Sequence, residues 1–147
     1  MNKENWIELE IGRIYATEKS LKEKIFGSKN PKYVLILYNK NDRNEKISMV
    51  VGQNAGEMIS TAIEKVIPEV PFIEVFFKNV IESFEIKLEY VLINGFNEEG
   101  YFKSIVNYNG KEKKLEFEAR TVDLIALSLR HESPIYIEKS VFEKNLD

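Results

Sequence analysis

The feature that most constrains the fold is the stretch 114–130, in which the spacing of apolar residues changes partway along. Up to Arg120, apolar and charged residues alternate, which predicts a strand with Glu118 and Arg120 on one face. After Arg120 the apolar residues recur at helical spacing, with Thr121 as the expected N-cap and Asp123 in the first turn, where the helix dipole favours an anion. The sequence therefore predicts that Glu118, Arg120 and Asp123 meet at one strand-to-helix corner.

The composition predicts one domain, residues 1–147, that works in the cytoplasm. The net charge of −3 argues against general attraction to phosphates, so any contact with nucleic acid has to be local or assisted by a metal. Zero cysteines exclude disulfides, thiolate zinc sites and a cysteine nucleophile. No apolar run reaches the roughly 20 residues that span a bilayer, and the N-terminus lacks the apolar core of a signal peptide, so no membrane association is expected.

Strand and helix signals are intermixed without regular alternation, which predicts an α+β domain. We expect a mostly antiparallel or mixed β-sheet packed with about three to four helices. The predicted strands are 6–15, with a bulge at Gly12, 33–38, 46–51, 87–93, 101–108, 112–120 and 134–137. The predicted helices are one that opens at 52–56 and continues to Ile67, one over 72–84, one over 122–131, and a final turn capped by Ser140. Residues 17–30 are predicted to form a loop or short helical insert, and Asn109-Gly110 predicts a type I′ hairpin turn.

The predicted helix over 72–84 is too apolar for one buried stripe. Phe72, Phe76, Phe77 and Phe84 cover more than one side of it together with several aliphatic residues. Such a helix is either enclosed within the fold or forms part of a subunit interface. We therefore expect a homodimer or higher homo-oligomer that associates through this helix.

Three segments from residue 51 onward resemble those of the bifunctional nuclease domain family. Residues 51–56 read V-G-Q-N-A-G where the family has I-G-x-x-E-A, and residues 70–77 read V-P-F-I-E-V-F-F where it has R-P-x-T-H-D-L-L. Residues 118–130 read E-A-R-T-V-D-L-I-A-L-S-L-R where it has D-A-R-P-S-D-A-I-A-L-A-L-R, and Pro134-Ile135 matches the strand that follows. The resemblance runs from about residue 47 to the end, roughly two thirds of the chain. It implies the family's fold, nuclease activity on DNA or RNA, and association into a dimer or higher oligomer.

The chain also departs from this pattern at several polar positions. The signature residues kept are Ala119, Arg120, Asp123, Ile125, Ala126, Leu127, Leu129 and Arg130, with Glu118 in place of the family's aspartate and Thr121 and Val122 in place of proline and serine. Ala55 stands where the first segment has glutamate, and Ile73, Glu74 and Val75 stand where the second has threonine, histidine and aspartate. These differences support an alternative function, a catalytically degenerate homo-oligomeric binding or regulatory module with the same fold.

Phosphodiester hydrolysis without a cysteine is expected to use a divalent cation, Mg²⁺ or Mn²⁺, held by carboxylates. Glu118 and Asp123 are the candidate ligands, and Glu74 is a third if its helix faces the strand. Arg120 and Arg130 are candidates for holding the phosphate, and no organic cofactor is expected. The alternative is structural, because carboxylates beside an arginine commonly form a surface ion pair and a favourable helix start.

Two further residues, Glu116 and His131, bear on the chemistry of the site. Glu116 shares the strand face of Glu118 and is an additional candidate ligand. His131 is the only histidine, which excludes a histidine-pair nuclease mechanism within one chain. At the end of a helix we expect His131 to be a favourable C-terminal cation or a solvated side chain.

Overall fold

The computed structural model describes residues 3–17 and 32–147, so the predicted insert lies, beyond Thr17, outside the described residues. The strands are β1 (Trp6–Ala16), β2 (Tyr33–Asn39), β3 (Asp42–Val51), β4 (Lys87–Phe96), β5 (Phe102–Asn109), β6 (Lys114–Arg120) and β7 (Ile135–Glu138). The α-helices are α1 (Gln53–Ile63), α2 (Ile73–Ser83), α3 (Thr121–His131) and α4 (Lys139–Lys144), and a 3₁₀ turn, Lys3–Asn5, precedes β1.

All seven strands belong to one sheet, in the order β3-β2-β1-β7-β4-β5-β6. Neighbouring strands are antiparallel except β7 and β4, which run parallel. The chain passes from β6 at one edge through α3 to β7 near the centre, so α3 connects the edge of the sheet to its middle. The prediction of an α+β domain with a mixed sheet and three to four helices is confirmed.

The apolar core lies between the sheet and the helices, with α3 at its centre. This helix contacts α1, α2 and strands β4, β5 and β6. Leu124, Ile125 and Ala126 on α3 are at most 3% exposed. Because α3 is held on several sides, the positions of its two ends are well defined by packing, and both ends carry predicted site residues.

Helix α1 ends earlier than the apolar pattern predicted. The predicted continuation through Val66 and Ile67 is wrong, since the helix stops at Ile63 and both residues are exposed. Lys65 adopts a left-handed backbone with φ of 57°, and the Val66 N–H donates to the Thr61 carbonyl at 2.9 Å. This arrangement is a Schellman motif, which closes a helix C-terminus. Pro68 also disfavours helical backbone at the residue before it.

The hairpin between β5 and β6 is confirmed, but the predicted turn is wrong. Asn109 pairs with Lys114, so residues 110–113 form a four-residue loop, and neither Asn109 nor Gly110 has positive φ. In this register Val106 faces Phe117 and Tyr108 faces Leu115. A two-residue turn at 109–110 would instead place lysines opposite Val106 and Tyr108. Matching of apolar residues across the strands therefore decides the register over the local turn signal.

The predicted bulge in β1 is confirmed. The pairing of β1 with β2 shifts between Ile11 and Ile14, and Gly12 lies within this irregularity. A Cβ at Gly12 would clash with the ring of Tyr38 on β2, so the close approach of the two strands requires glycine.

Several other boundaries differ from the predictions. Strand β4 does not end before Asn94-Gly95 but continues to Phe96, with an irregular pairing between Ile93 and Gly95. Helix α4 begins at Lys139 with Glu138 in the N-cap position, so Ser140 lies inside the helix and does not cap it.

None of the helices in the described part of the chain combines the length and the apolar character needed to cross a membrane.

Candidate functional site

The predicted corner between β6 and α3 carries a two-bond ion pair. Arg120 Nε donates to Asp123 Oδ2 at 2.7 Å, and Nη2 donates to Oδ1 at 2.9 Å. Arg120 occupies the N-cap position of α3 and Asp123 lies in its first turn. The hydrogen bond and the charge of Asp123 raise the pKa of the Arg120 guanidinium. The side chains are 76% and 36% exposed, so this is a solvent-accessible pair with nearly ideal geometry.

Thr121 fixes this corner to the sheet, though not as predicted. Its hydroxyl donates to the Phe102 carbonyl at 3.0 Å and lies 2.6 Å from the Ser104 hydroxyl, and the residue is buried. The prediction of Thr121 as N-cap is wrong, because it is the first residue of α3 and no side chain caps the helix. The change in apolar spacing located the helix start but could not distinguish a capping threonine from one bonded to a neighbouring strand.

Glu118 and Glu116 lie on the face of β6 that also carries Arg120. Both are exposed, and they sit opposite Ile105 and Asn107 on β5. Glu118 is two residues before Arg120, a separation of roughly 7 Å along the strand. The structure therefore places Glu118 on the same face of β6 as Arg120, as the alternating pattern predicted.

Arg130 and Glu74 form a second ion pair, buried at the other end of α3. Arg130 Nη2 lies 3.5 Å from Glu74 Oε1 on α2 and 3.4 Å from Thr61 Oγ1 on α1. The two charged side chains are only 7% and 3% exposed. Arg130 Nε and Glu74 Oε2 are buried and make no hydrogen bond, so the pair satisfies its polar groups incompletely. Thr61 carried no sequence signal for this role.

The two ion pairs are too far apart to form one site. Arg120 and Arg130 are ten residues apart on one helix, which corresponds to roughly 15 Å along its axis. The structure brings Arg120 and Asp123 together, with Glu118 on the strand face of Arg120, and separates them from Arg130 and Glu74. Arg130 is also buried between helices, so of the two candidates for holding the phosphate, Arg120 is the one exposed to solvent.

The predicted metal ligands do not form a three-residue group. Among residues 3–17 and 32–147, no cluster of three or more histidine, cysteine or acidic residues could hold a metal ion. Glu74 faces Arg130, and both oxygens of Asp123 accept hydrogen bonds from Arg120. Mg²⁺ is commonly bound by only one or two carboxylates together with substrate phosphate and water. Asp123, with Glu118 two residues before Arg120, is the candidate for that smaller donor set.

His131 is buried rather than solvated, which corrects the prediction for it. Its side chain is 5% exposed, and Nδ1 lies 4.0 Å from Glu82 Oε1. Burial lowers the pKa of His131, and the nearby Glu82 offsets this only in part. Its ring lies edge-on to Tyr108, whose buried hydroxyl has a raised pKa for the same reason. The His131 imidazole is therefore buried and neutral, and it is not the expected C-terminal cation.

Two open clefts lie elsewhere on the molecule, each with a volume of about 550 Å³. One is bordered by Glu8, Lys40 and Glu132, and the other by Tyr33, Glu57 and Thr61. None of the predicted site residues lines either cleft. The corner formed by Glu118, Arg120 and Asp123 is therefore an exposed surface site rather than part of these cavities.

The fold and the retained corner define a member of a nuclease-type family. The sequence matches the family model for the bifunctional nuclease domain over residues 35–146, and the chain belongs to that family. The predicted resemblance is confirmed, and the match begins earlier than predicted, within β2. The family is associated with nuclease-like function. No curated protein matches the sequence.

Proposed function

We propose that this protein binds DNA or RNA and hydrolyses its phosphodiester bonds at the corner where β6 meets α3. Membership of the bifunctional nuclease domain family supports the reaction class. The observation that carries the choice of site is the exposed two-bond pair between Arg120 and Asp123. With no cysteine in the chain, we place this activity in the cytoplasm.

Arg120 is suited to exchange Asp123 for a phosphate. A guanidinium presents parallel N–H donors that match two phosphate oxygens as well as two carboxylate oxygens. Exposed ion pairs contribute little to stability, about 0–1 kcal/mol, so an incoming phosphate can replace Asp123 at small cost. The free N–H groups at the start of α3 favour an anion at the same place.

The exchange also frees the acidic residues of the corner. Once Arg120 holds the phosphate, the Asp123 carboxylate is no longer paired and is available to a cation. Asp123 and Glu118 are the proposed ligands of Mg²⁺ or Mn²⁺, which supplies charge neutralisation at the phosphate when bound. Arg120 then keeps its donors on the phosphate oxygens as negative charge develops. Glu74 and Arg130 take no part in this step, because they are buried at the far end of α3.

The test is degradation of plasmid DNA and single-stranded RNA with Mg²⁺ or Mn²⁺, compared with EDTA. We expect Arg120→Ala and Asp123→Asn each to lower the rate by about a hundredfold, as removal of one transition-state contact does. Arg43→Ala is the matched control. Arg43 makes a similar exposed two-bond pair with Glu10, at 2.9 and 3.2 Å, outside the retained signature. Absence of cleavage with either metal, or equal rates for Arg120→Ala and Arg43→Ala, would overturn the proposal.

A second candidate function is a non-catalytic homo-oligomeric binding or regulatory module. It is favoured by the apolar residues exposed in the segment 72–84, where Ile73, Phe76 and Phe84 are 59–71% exposed. Fluorescence anisotropy with a labelled oligonucleotide separates the two functions. Binding without cleavage, in a sample shown to be oligomeric by light scattering, assigns the module. Cleavage that depends on Arg120 assigns the nuclease.

A further inference from the structure

The two edge strands of the sheet are finished in different ways. At the β3 edge, the helix-side residues Ile47, Met49 and Val51 are at most 7% exposed. The Lys46 carbonyl accepts a hydrogen bond from the Asp147 N–H at 3.0 Å, and the Ser48 hydroxyl also contacts the Asp147 carboxylate. The chain's own C-terminus therefore covers part of this edge.

The opposite edge, β6, is open. Every residue of β6 is exposed except Leu115, which is half-buried. Phe117 is 55% exposed although it faces Val106, a core residue, across the β5 pairing. Within residues 3–17 and 32–147, no backbone hydrogen bond reaches β6 other than its ladder with β5. This strand thus presents an outer row of peptide groups together with an uncovered apolar side chain.

The apolar surface of β6 continues toward α2. The Phe77 ring lies edge-on to Tyr108 with ring centres 6.3 Å apart, and Tyr108 faces Leu115 across the β5–β6 pairing. Phe76 and Phe77 on α2 are themselves 59% and 42% exposed. One partner seated along β6 would therefore cover both the strand edge and the nearby helix side chains.

We infer that this partner is a second copy of the chain, which pairs antiparallel along β6 about a two-fold axis at Glu116. In this register Lys114 faces Glu118 of the second copy, and Leu115 faces its Phe117, on opposite sides of the sheet. Each contact occurs twice. Opposite charges and apolar pairs directly across two strands are stabilising, and only the Glu116 pair on the axis is unfavourable.

Two other symmetric registers are less favourable. An axis at Phe117 sets Glu116 against Glu118 and Lys114 against Arg120, so four of the six contacts off the axis join like charges. An axis at Glu118 sets Phe117 against Ala119, which buries less apolar surface, and it also engages Arg120. The charge pattern of β6 therefore selects the axis at Glu116.

This dimer adds to the proposed function, and its test does not depend on activity. Lys114 of each copy lies opposite Glu118 of the other, so each candidate site gains a residue from its partner. The observable is the pairing itself, which is measured whether or not the protein cleaves nucleic acid.

Site-directed cross-linking tests the register, and the lack of native cysteines makes it clean. Residues on the axis of an antiparallel pair have Cα atoms roughly 4.5–5.5 Å apart, within disulfide range. We expect Glu116→Cys to form a covalent dimer on mild oxidation faster than Phe117→Cys or Glu118→Cys. Val50→Cys, exposed on the β3 edge, is the matched control and should stay monomeric on a non-reducing gel. Faster cross-linking at position 117, 118 or 50 overturns the inference.

Light scattering with uncross-linked protein provides the second arm. We expect Phe117→Asp to weaken dimerisation by at least roughly tenfold, and Val50→Asp to leave it unchanged. Lys114→Glu should weaken it, and the charge-swapped pair Lys114→Glu with Glu118→Lys should restore it. A monomeric wild-type protein at about 100 μM, a concentration that populates even weak dimers, overturns the inference. A dimer that is broken by Phe76→Asp but not by Phe117→Asp also overturns it.

Discussion

The two arginines at the ends of α3 make ion pairs of opposite character. At the N-terminal end, Arg120 binds Asp123 three residues away with two bonds of 2.7 and 2.9 Å in solvent. At the C-terminal end, Arg130 contacts Glu74, 56 residues away in sequence, through one Nη2–Oε1 distance of 3.5 Å. This contact lies in the buried seam between α2 and α3. The exposed pair has the better geometry, and the buried pair has the more costly surroundings.

The difference in solvent exposure determines which ion pair is available for function. An exposed pair contributes about 0–1 kcal/mol, because water competes for both groups, so a ligand can replace one partner. Removing one member of a buried pair leaves an uncompensated charge and costs roughly 3–5 kcal/mol. Arg120 is therefore free to change partners, whereas Arg130 and Glu74 hold α2 and α3 together.

The largest effect is expected at the buried pair. Arg130→Met should lower the free energy of unfolding by roughly 3–5 kcal/mol, because it strands the Glu74 carboxylate in the seam. Urea denaturation followed by circular dichroism measures the change. Adding Glu74→Gln should recover part of the loss, since the second change removes the unpaired charge. A loss below about 1 kcal/mol in the single variant would mean that the buried and exposed pairs are energetically alike.

An intermediate effect is expected from pH, through His131 at the same end of α3. Its pKa in the folded protein is lowered below the ordinary value of 6.5 by burial. Near and below that pH the unfolded chain therefore binds more protons at His131 than the folded protein does. The free energy of unfolding is highest, as far as His131 is concerned, above about pH 6.5, and it decreases as the pH falls toward the folded-state pKa. Denaturation midpoints between pH 7.5 and about 5 should show this decline.

The control for the pH effect is His131→Gln. This variant has no titrating group at position 131, so its stability should fall less over the same interval. If the wild type and the variant have identical pH profiles, the decline in stability comes from other titrating groups and not from His131.

The smallest effect on stability is expected at the exposed pair. Arg120→Ala should change the free energy of unfolding by no more than about 1 kcal/mol, as should Arg43→Ala at the comparable surface pair. The same urea experiment measures both variants. A much larger loss for Arg120→Ala would show that this pair holds the corner in place, and that a phosphate could not displace Asp123 at small cost.

Local patterns in the sequence predicted the exposed pair correctly. The change from a period of two to a helical period located the junction of β6 and α3 almost to the residue, and it placed Glu118 and Arg120 on one strand face. Asp123 follows Arg120 by three residues in the first helical turn, so their contact depends only on local geometry. The family resemblance rested on the same segment and is confirmed.

Local patterns were wrong where contacts between elements decided the outcome. Asn109-Gly110 favoured a tight turn, but pairing of Leu115 with Tyr108 and of Phe117 with Val106 lengthened it. Thr121 was predicted to cap its own helix, but its hydroxyl bonds to β5. In both cases packing between elements contributed more than the preference of a few adjacent residues.

The spacing of residues was enough to predict the α+β class, the strand-to-helix corner with its exposed charges, and the excess of apolar residues around α2. These follow from spacing along one element, which is a property of adjacent residues. Packing between segments places Glu74 and Thr61 around Arg130, buries His131, and leaves β6 open at the sheet edge. These depend on which segments pack against each other across long stretches of sequence, and that pairing is set by the whole core rather than by any single stretch of chain.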